Sequence, residues 1–133
     1  MSGQQGERRS ARETALGWLY EADVLDVSPS AIVDGQLLEP DPFAAAVVRG
    51  VGEHAAMIDA MIASHAQGWD LDRMLLIDRA ILRMGTFELM HRSDVPTGAV
   101  LNEAVELAKS YSTDDSSSFV NGVLAAVAAE VRT

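Results

Sequence analysis

The chain has 133 residues, of which 48% are hydrophobic, so it is long enough for one folded domain and too apolar for a disordered segment. It has no cysteine, which excludes disulfides, thiol catalysis and cysteine-bound metals, and it has no apolar run long enough to span a membrane. The formal net charge of −10 argues at first against a nucleic-acid partner, because phosphate contacts need Lys and Arg.

The charged residues are distributed unevenly along the chain. Arg8, Arg9 and Arg12 lie near the N-terminus, whereas residues 13–41 include seven acids and no Lys or Arg. Four more arginines follow within residues 73–92. An acidic protein with two local basic sites could contact phosphate there. The alternative interpretation is a solvated acidic surface with ordinary salt bridges.

The N-terminal segment predicts a long amphipathic helix. Its polar start, MSGQQGERRSARE, lacks the apolar core of a secretory signal, so we expect none and assign the chain to the cytoplasm. Trp18 falls outside the apolar stripe of this helix, which predicts a position at the edge of the core or against a partner. The stripe consists of Leu16, Leu19, Tyr20 and Val24, and Ala11 and Ala15 extend it backward.

Two further helix starts carry a capping residue followed by proline at the first helical position. Ser28 precedes Pro29 in the first, and Asp41 precedes Pro42 in the second. The second start predicts a long helical stretch that runs toward His65.

Glycines interrupt the middle of the chain. Gly50 and Gly52 lie inside the long helical stretch and should weaken or bend it by about 1 kcal/mol each relative to Ala. Gly68 ends the stretch, which predicts a boundary between an N-terminal helical subdomain, residues 1–68, and a C-terminal one, residues 69–133.

The second half also has helical periodicity. Residues 69–90 predict a short helix and then a helix buried on more than one side, which Asp94-Val95-Pro96 interrupts. An amphipathic helix follows in residues 97–111, and a last helix begins within residues 110–124. Because no useful strand pattern is present and the connections are short, we predict an all-α fold of antiparallel helices.

Catalytic and metal-binding patterns are weak in this sequence. His54, His65 and His91 form no HExxH motif, and no two of them share a helix face. Asp114 and Asp115 have no neighbouring His or Lys, so they are more typical of a helix N-terminus than of an acid pair. The sequence therefore predicts neither an enzyme nor a metal or cofactor site.

The stretch SYSTDDSSSFVNGVL, residues 110–124, has more polar groups than one helix start requires. Thr113, Asp114 or Asp115 could cap the last helix. Tyr111 and Phe119 flank the polar run, so they are either core residues beside a soluble loop or rings that stack on single-stranded RNA.

Asn121 and Gly122 follow within the predicted last helix. We expect Gly122 to allow a close helix approach. The sequence leaves open whether Asn121 satisfies a buried backbone group or reaches toward RNA.

Two long segments of the chain resemble one protein family. They are RRSARETALGWLYEAD near the start and DRAILRMGTFELMHRSDVPTGAVLNEAVELAKSYSTDDSSSFVNGVL toward the end. In this order, DRAILR, the DVP break, NEAVELAK and FVNGVL are similar to the NusB family of bacterial transcription antitermination factors, of an actinobacterial type. The middle of the chain matches by its helical pattern alone.

The resemblance implies about seven helices in two small antiparallel bundles and a role without catalysis. NusB proteins pair with NusE, which is also a small-subunit ribosomal protein. The pair binds boxA RNA in nascent transcripts, notably those of ribosomal RNA operons, within an antitermination complex on RNA polymerase. A basic NusE would complement the acidic face of this chain and supply part of the phosphate-binding charge.

The resemblance also assigns individual residues. Tyr20 and Asp78 correspond to positions that the family turns toward NusE. Compared with the family, the basic N-terminal motif is short and SSS at 116–118 replaces residues that are often His and Lys. The implied RNA-binding residues are Arg8, Arg9, Arg12, Arg79, Tyr111, Asp115, Ser116, Phe119 and Asn121.

Two alternative functions stay open. One is a helical homodimer that interacts only with protein. The other is an RNA-binding accessory domain like those fused to RNA methyltransferases, although 133 residues leave no room for the catalytic domain.

Overall fold

The computed structural model describes residues 3–132 of the chain, and side chains from residue 6 onward. Within this part there are seven α-helices, a short 3-10 helix and no strand. None of these helices is both long and apolar enough to cross a membrane. The helices are α1 (Gly3–Leu25), α2 (Pro29–Asp34), α3 (Pro42–Glu53), α4 (Ala55–His65), α5 (Leu76–His91), α6 (Thr97–Tyr111) and α7 (Ser116–Val131), and the 3-10 helix is Leu71–Arg73.

Helix α1 buries a stripe that differs from the predicted one. Tyr20 and Val24 are exposed, so their assignment to the core was wrong. They lie about 100° or more around the helix from the buried Leu19 and Ala22, which places them outside the face that the neighbouring helices cover. Trp18 packs at the edge of the core, as expected. The buried apolar residues of α1 are Ala11, Ala15, Leu16, Leu19 and Ala22.

Both proline-marked helix starts are confirmed. The Ser28 hydroxyl accepts a hydrogen bond from the Ala31 amide, and the Asp41 carboxylate accepts one from the Ala44 amide, in each case with proline at the start of the helix. These side chains satisfy amides that have no partner within the helix, so the starts are defined by local sequence.

The predicted long helix toward His65 is divided at His54 into α3 and α4. Gly50 lies in α3, where a Cβ atom would overlap the ring of Phe87. This glycine therefore permits α3 and α5 to approach closely, and its cost in helix propensity is offset by packing.

Helix α5 is the centre of the fold and contacts α1, α3, α4, α6 and α7. Its neighbour α7 approaches at Gly85, where a Cβ atom would lie 2.6 Å from Leu124 Cδ1. Most of α5 is buried around its full circumference, which explains why apolar residues occur on all of its faces. Helices α1, α2 and α3 pack together on one side, and α6 and α7 pack on the other.

The hydrophobic core is continuous from Ala11 in α1 to Ala128 in α7. Since α5 packs against helices from both halves of the chain, the two bundles share one interior. A division after residue 68 stays a prediction.

The end of α5 is held by Arg132. Its guanidinium donates hydrogen bonds to the carbonyl oxygens of Glu88, Leu89 and Arg92, and to that of Val95 in the following turn. The last carbonyls of a helix have no partner within it, so Arg132 caps α5 from a distant part of the sequence.

Candidate nucleic-acid interface

The two solvent-facing arginines of the N-terminal motif are paired with carboxylates. Arg9 Nε and Nη2 donate to Glu103 Oε1 and Oε2 at 3.1 and 3.0 Å, and this bonding raises the pKa of Arg9. Arg8 Nη2 lies 3.5 Å from Asp94 Oδ2. The helical α1 therefore presents Arg9 to α6 and Arg8 to the turn that precedes α6, and not as a free basic arm.

Arg12 points into the protein. Its guanidinium is 5% exposed and donates to Glu88, which is 2% exposed, with Nε–Oε2 and Nη2–Oε1 distances of 3.0 and 2.7 Å. The Nε and Nη2 groups of Arg12 are thus both hydrogen-bonded to the buried Glu88 carboxylate. An RNA contact by Arg12 stays a prediction, and it would require this pair to open.

Three arginine side chains lie close to the ring of Phe43, beside these pairs. The guanidinium carbons of Arg8, Arg12 and Arg92 lie 4.6, 5.1 and 4.9 Å from the ring centroid, which is within cation–π range. Arg92 also donates two hydrogen bonds of 2.9 Å to Asp94 and holds the pKa of that carboxyl well below its usual range. Positive charge is thus concentrated here, and carboxylates neutralise much of it.

Asp78 is an internal anchor for the loop before α7. Its carboxylate is buried and accepts hydrogen bonds from Ser112 Oγ at 2.6 Å and Ser116 Oγ at 2.8 Å. Thr113 Oγ1 lies 2.8 Å from Ser116 Oγ and extends the network. Asp78 and Ser116 were expected to face NusE and RNA respectively. The structure uses both to fix the loop, and their intermolecular contacts stay predictions.

The cap proposed for the last helix was wrong. Asp115 occupies the position before α7, and its carboxylate accepts no bond from the first-turn amides. The amide of Ser116 bonds instead to the Thr113 carbonyl at 3.1 Å. Thr113, another of the expected caps, bonds through its hydroxyl to the Ser116 hydroxyl instead.

An open groove of about 470 Å³ lies between residues 69–75 and the start of α7. The exposed indole of Trp69 lies at a tilt against the half-buried ring of Phe119, with centroids 5.6 Å apart. The groove combines aromatic and aliphatic surface with one cation and one exposed acid. Its other lining residues are Arg73, Met74, Leu75, Asp78, Thr113, Asp115 and Ser116.

Trp69 was missed in the sequence. It follows Gly68, whose φ of 78° reverses the chain between α4 and the 3-10 helix and carries the indole to the groove. The glycine and the tryptophan were both visible, but only the fold shows that the indole meets Phe119.

Tyr111 and Arg79 are bound to other parts of the protein. Tyr111 is half exposed, and its hydroxyl donates to Glu13 at 2.8 Å, which raises the pKa of the phenol. Arg79 Nη2 lies 3.4 Å from Oδ2 of Asp23 in α1, and the Arg79 side chain is largely buried. Arg79 therefore joins α5 to α1, and only a small part of it is open to RNA.

Asn121 and Gly122 lie on the exposed side of α7, as Tyr20 lies on an exposed side of α1. A Cβ atom at Gly122 would have no neighbour within 4 Å, so the expected close helix approach was wrong. The exposure of Asn121 favours its availability to a ligand over a role in the core. Among the described residues, no cluster of His, Asp or Glu is arranged to hold a metal ion.

The model of the NusB family matches residues 9–129, which include the Arg9–Glu103 and Arg12–Glu88 pairs, the Asp78 network and the aromatic groove. The chain belongs to the NusB family. The transcription antitermination protein NusB of Kineococcus radiotolerans is 45% identical over 125 residues, which cover 91% of this chain and 92% of that protein. The protein of the same name from Bacillus velezensis is 41% identical over 127 residues, with 94% and 98% covered.

Solved structures of the family have the same fold. T. maritima NusB superposes with a TM-score of 0.86 at 33% identity, covering 95% of this chain and 93% of that one. The antitermination factor NusB crystallised with NusE and double-stranded RNA gives a TM-score of 0.80 at 28% identity, covering 97% and 99%. The all-α fold expected from the sequence is thereby confirmed.

Proposed function

We propose that this chain is a transcription antitermination factor that binds boxA-type RNA together with NusE, as part of an antitermination complex on RNA polymerase. Membership of the NusB family over residues 9–129 supports this proposal, and a NusB of the same fold has been crystallised with NusE and double-stranded RNA. The function requires binding and no catalysis, and it places the chain in the cytoplasm with the polymerase.

The observation that carries the proposal is the open groove that Trp69 and Phe119 line together. Aromatic faces stack on unpaired bases of any type, and each such contact contributes about 1–3 kcal/mol. Arg73 at the groove can pair with a phosphate, and the exposed carboxylate of Asp115 can accept from an exocyclic amino group. The Asp78 network holds the loop that carries Asp115 in place.

The charge of the chain supports a shared RNA site. The net charge is −10, and carboxylates pair with Arg8, Arg9 and Arg12. Phosphate binding by this chain alone should therefore be weak. A basic NusE would be attracted to the acidic surface and would contribute the missing positive charge.

Measurement of RNA affinity at several salt concentrations tests the proposal. Fluorescence anisotropy with a single-stranded boxA oligonucleotide should show tighter binding by the equimolar mixture with NusE than by either protein alone. A double-stranded competitor of the same sequence tests the preference for unpaired bases. If the mixture binds no tighter than this chain alone at matched salt, the proposal is wrong.

Two variants test the groove itself. Trp69→Ala should weaken RNA binding by roughly tenfold or more, because it removes a stacking face. Leu37→Ala removes a fully exposed apolar side chain outside the groove and should leave affinity unchanged. Equal effects of the two variants would contradict the assignment of the groove.

The homodimer alternative is tested by light scattering. A dimer that dissociates when NusE and RNA are added would be a storage form. A dimer that persists and binds no RNA would favour a protein-interaction module.

A further inference from the structure

The guanidinium of Arg9 is occupied in the RNA-free protein by a carboxylate from α6. The two Glu103 oxygens accept from Nε and Nη2 at 3.1 and 3.0 Å, a parallel two-bond arrangement. Phosphate binds arginine through the same face and the same two donors. RNA and Glu103 therefore cannot use these donors of Arg9 at the same time.

We propose that Glu103 is an affinity-determining residue that competes with RNA phosphate for Arg9. The inference rests on the proposed function and goes beyond it, because it names the residue that limits binding at the arginine motif. RNA binding exchanges the Arg9–Glu103 pair for an Arg9–phosphate pair. The binding free energy therefore includes only the difference in strength between these two ion pairs.

The burial of the two side chains shows which partner moves. The Arg9 side chain is 53% exposed and can turn toward solvent, whereas the Glu103 side chain is only 16% exposed. When Arg9 leaves, Glu103 stays behind as a partly desolvated carboxylate beside the incoming phosphate. Desolvation and like-charge repulsion both oppose RNA binding in that state.

Neighbouring acids provide a matched comparison. Glu106 lies one helical turn beyond Glu103 in α6 and acts on Arg9 by charge, without a hydrogen bond to it. The Glu106 carboxylate pairs instead with Lys109, with an Oε2–Nζ distance of 3.8 Å. Replacement of Glu106 by glutamine removes the same charge and leaves the two bonds between Arg9 and Glu103 intact.

The experiment compares Glu103→Gln with Glu106→Gln in complex with NusE, by anisotropy with the boxA oligonucleotide. Glu103→Gln should raise RNA affinity by about two- to fivefold, the range expected from an exposed ion pair. Glu106→Gln should give a smaller gain. In an Arg9→Gln background the advantage of Glu103→Gln over Glu106→Gln should disappear. Circular dichroism checks that each variant is folded.

A second measurement needs no RNA. The ¹⁵Nε–Hε signal of Arg9 should report a restrained side chain in the free wild-type protein and a mobile one in Glu103→Gln. A mobile Arg9 in the wild type would overturn the inference, as would equal gains from the two glutamine variants or a lower affinity of Glu103→Gln. If the wild-type chain with NusE binds no RNA, the proposed function fails and the inference fails with it.

Discussion

Arg12 and Glu88, 76 residues apart in the chain, form a two-bond ion pair in the interior between α1 and α5. The pair joins the N-terminal arginine motif to the central helix. Its burial shows that one arginine of the motif stabilises the fold, whereas Arg8 and Arg9 lie nearer the solvent.

Removal of one partner should therefore be costly. Glu88→Ala leaves the Arg12 guanidinium buried without a counter-ion and should lower the free energy of unfolding by about 3–5 kcal/mol. Urea denaturation followed by circular dichroism measures the change. The control is Asp34→Ala, which breaks the exposed pair with Arg49 and should cost about 0–1 kcal/mol. Similar losses for the two variants would refute the structural role of the Arg12–Glu88 pair.

The loop before α7 should depend on Ser116 for its stability. Ser116→Ala removes a hydroxyl that donates to the buried Asp78 carboxylate and should cost about 1–3 kcal/mol. Ser118→Ala changes an exposed neighbour and should stay within about 0.5 kcal/mol of the wild type. Thermal unfolding of both variants gives the comparison, and an unchanged midpoint for Ser116→Ala would contradict the anchor.

Two glycines should respond to alanine with opposite signs. Gly50→Ala places a Cβ atom against Phe87 and should destabilise by about 1–3 kcal/mol. Gly122→Ala faces open space within α7 and should stabilise by up to about 1 kcal/mol through helix propensity. In a Phe87→Leu background, the cost at Gly50 should shrink. Chemical denaturation of the wild type and of the four variants, including Phe87→Leu alone and the Gly50→Ala/Phe87→Leu double variant, tests the set.

The stability of the fold should decrease as the pH falls through and below 6.5, the ordinary pKa of a histidine side chain, because of His91. Partial desolvation of the His91 side chain, which stays exposed on one side, and the charge of His54, whose ring stacks at a centroid distance of 4.1 Å, lower the pKa of His91 below 6.5. Below its ordinary pKa the unfolded chain then binds more protons than the folded one, so stability is lost as the pH falls. His91→Gln should flatten this dependence.

The control for the pH experiment is His65→Gln, which removes an imidazole that lies 2.7 Å from Glu130 and away from the His54–His91 stack. Urea midpoints at several pH values measure the slope. A slope unchanged in His91→Gln would assign the pH dependence to other groups.

Local chemistry explains what could be predicted well. The starts of α2 and α3 depend on Ser28 and Asp41, which bond to amides three residues away. Such contacts operate within one turn of chain, so sequence spacing is sufficient to locate them. The all-α class likewise follows from helical periodicity over the whole chain.

Errors arose where a side chain had two plausible environments. Tyr20 fitted the apolar stripe of α1 by spacing, yet it is exposed because the neighbouring helices cover a different face. Asp115 fitted a helix cap by position, but its carboxylate takes no part in one. In both cases the deciding partner lies far away in sequence, or is absent, and spacing alone carries no information about it.

The sequence by itself determined most of the helical elements, the caps of α2 and α3 and, through its long specific segments, the family. Only the tertiary structure decided that Arg12 is buried against Glu88, that Arg9 is held by Glu103, and that Trp69 meets Phe119. Periodicity and capping act over one or two helical turns, whereas an ion pair or an aromatic contact depends on which helix faces meet after folding. The charge available to RNA is therefore a property of the folded chain, because each arginine is open or neutralised according to the carboxylate that packing brings to it.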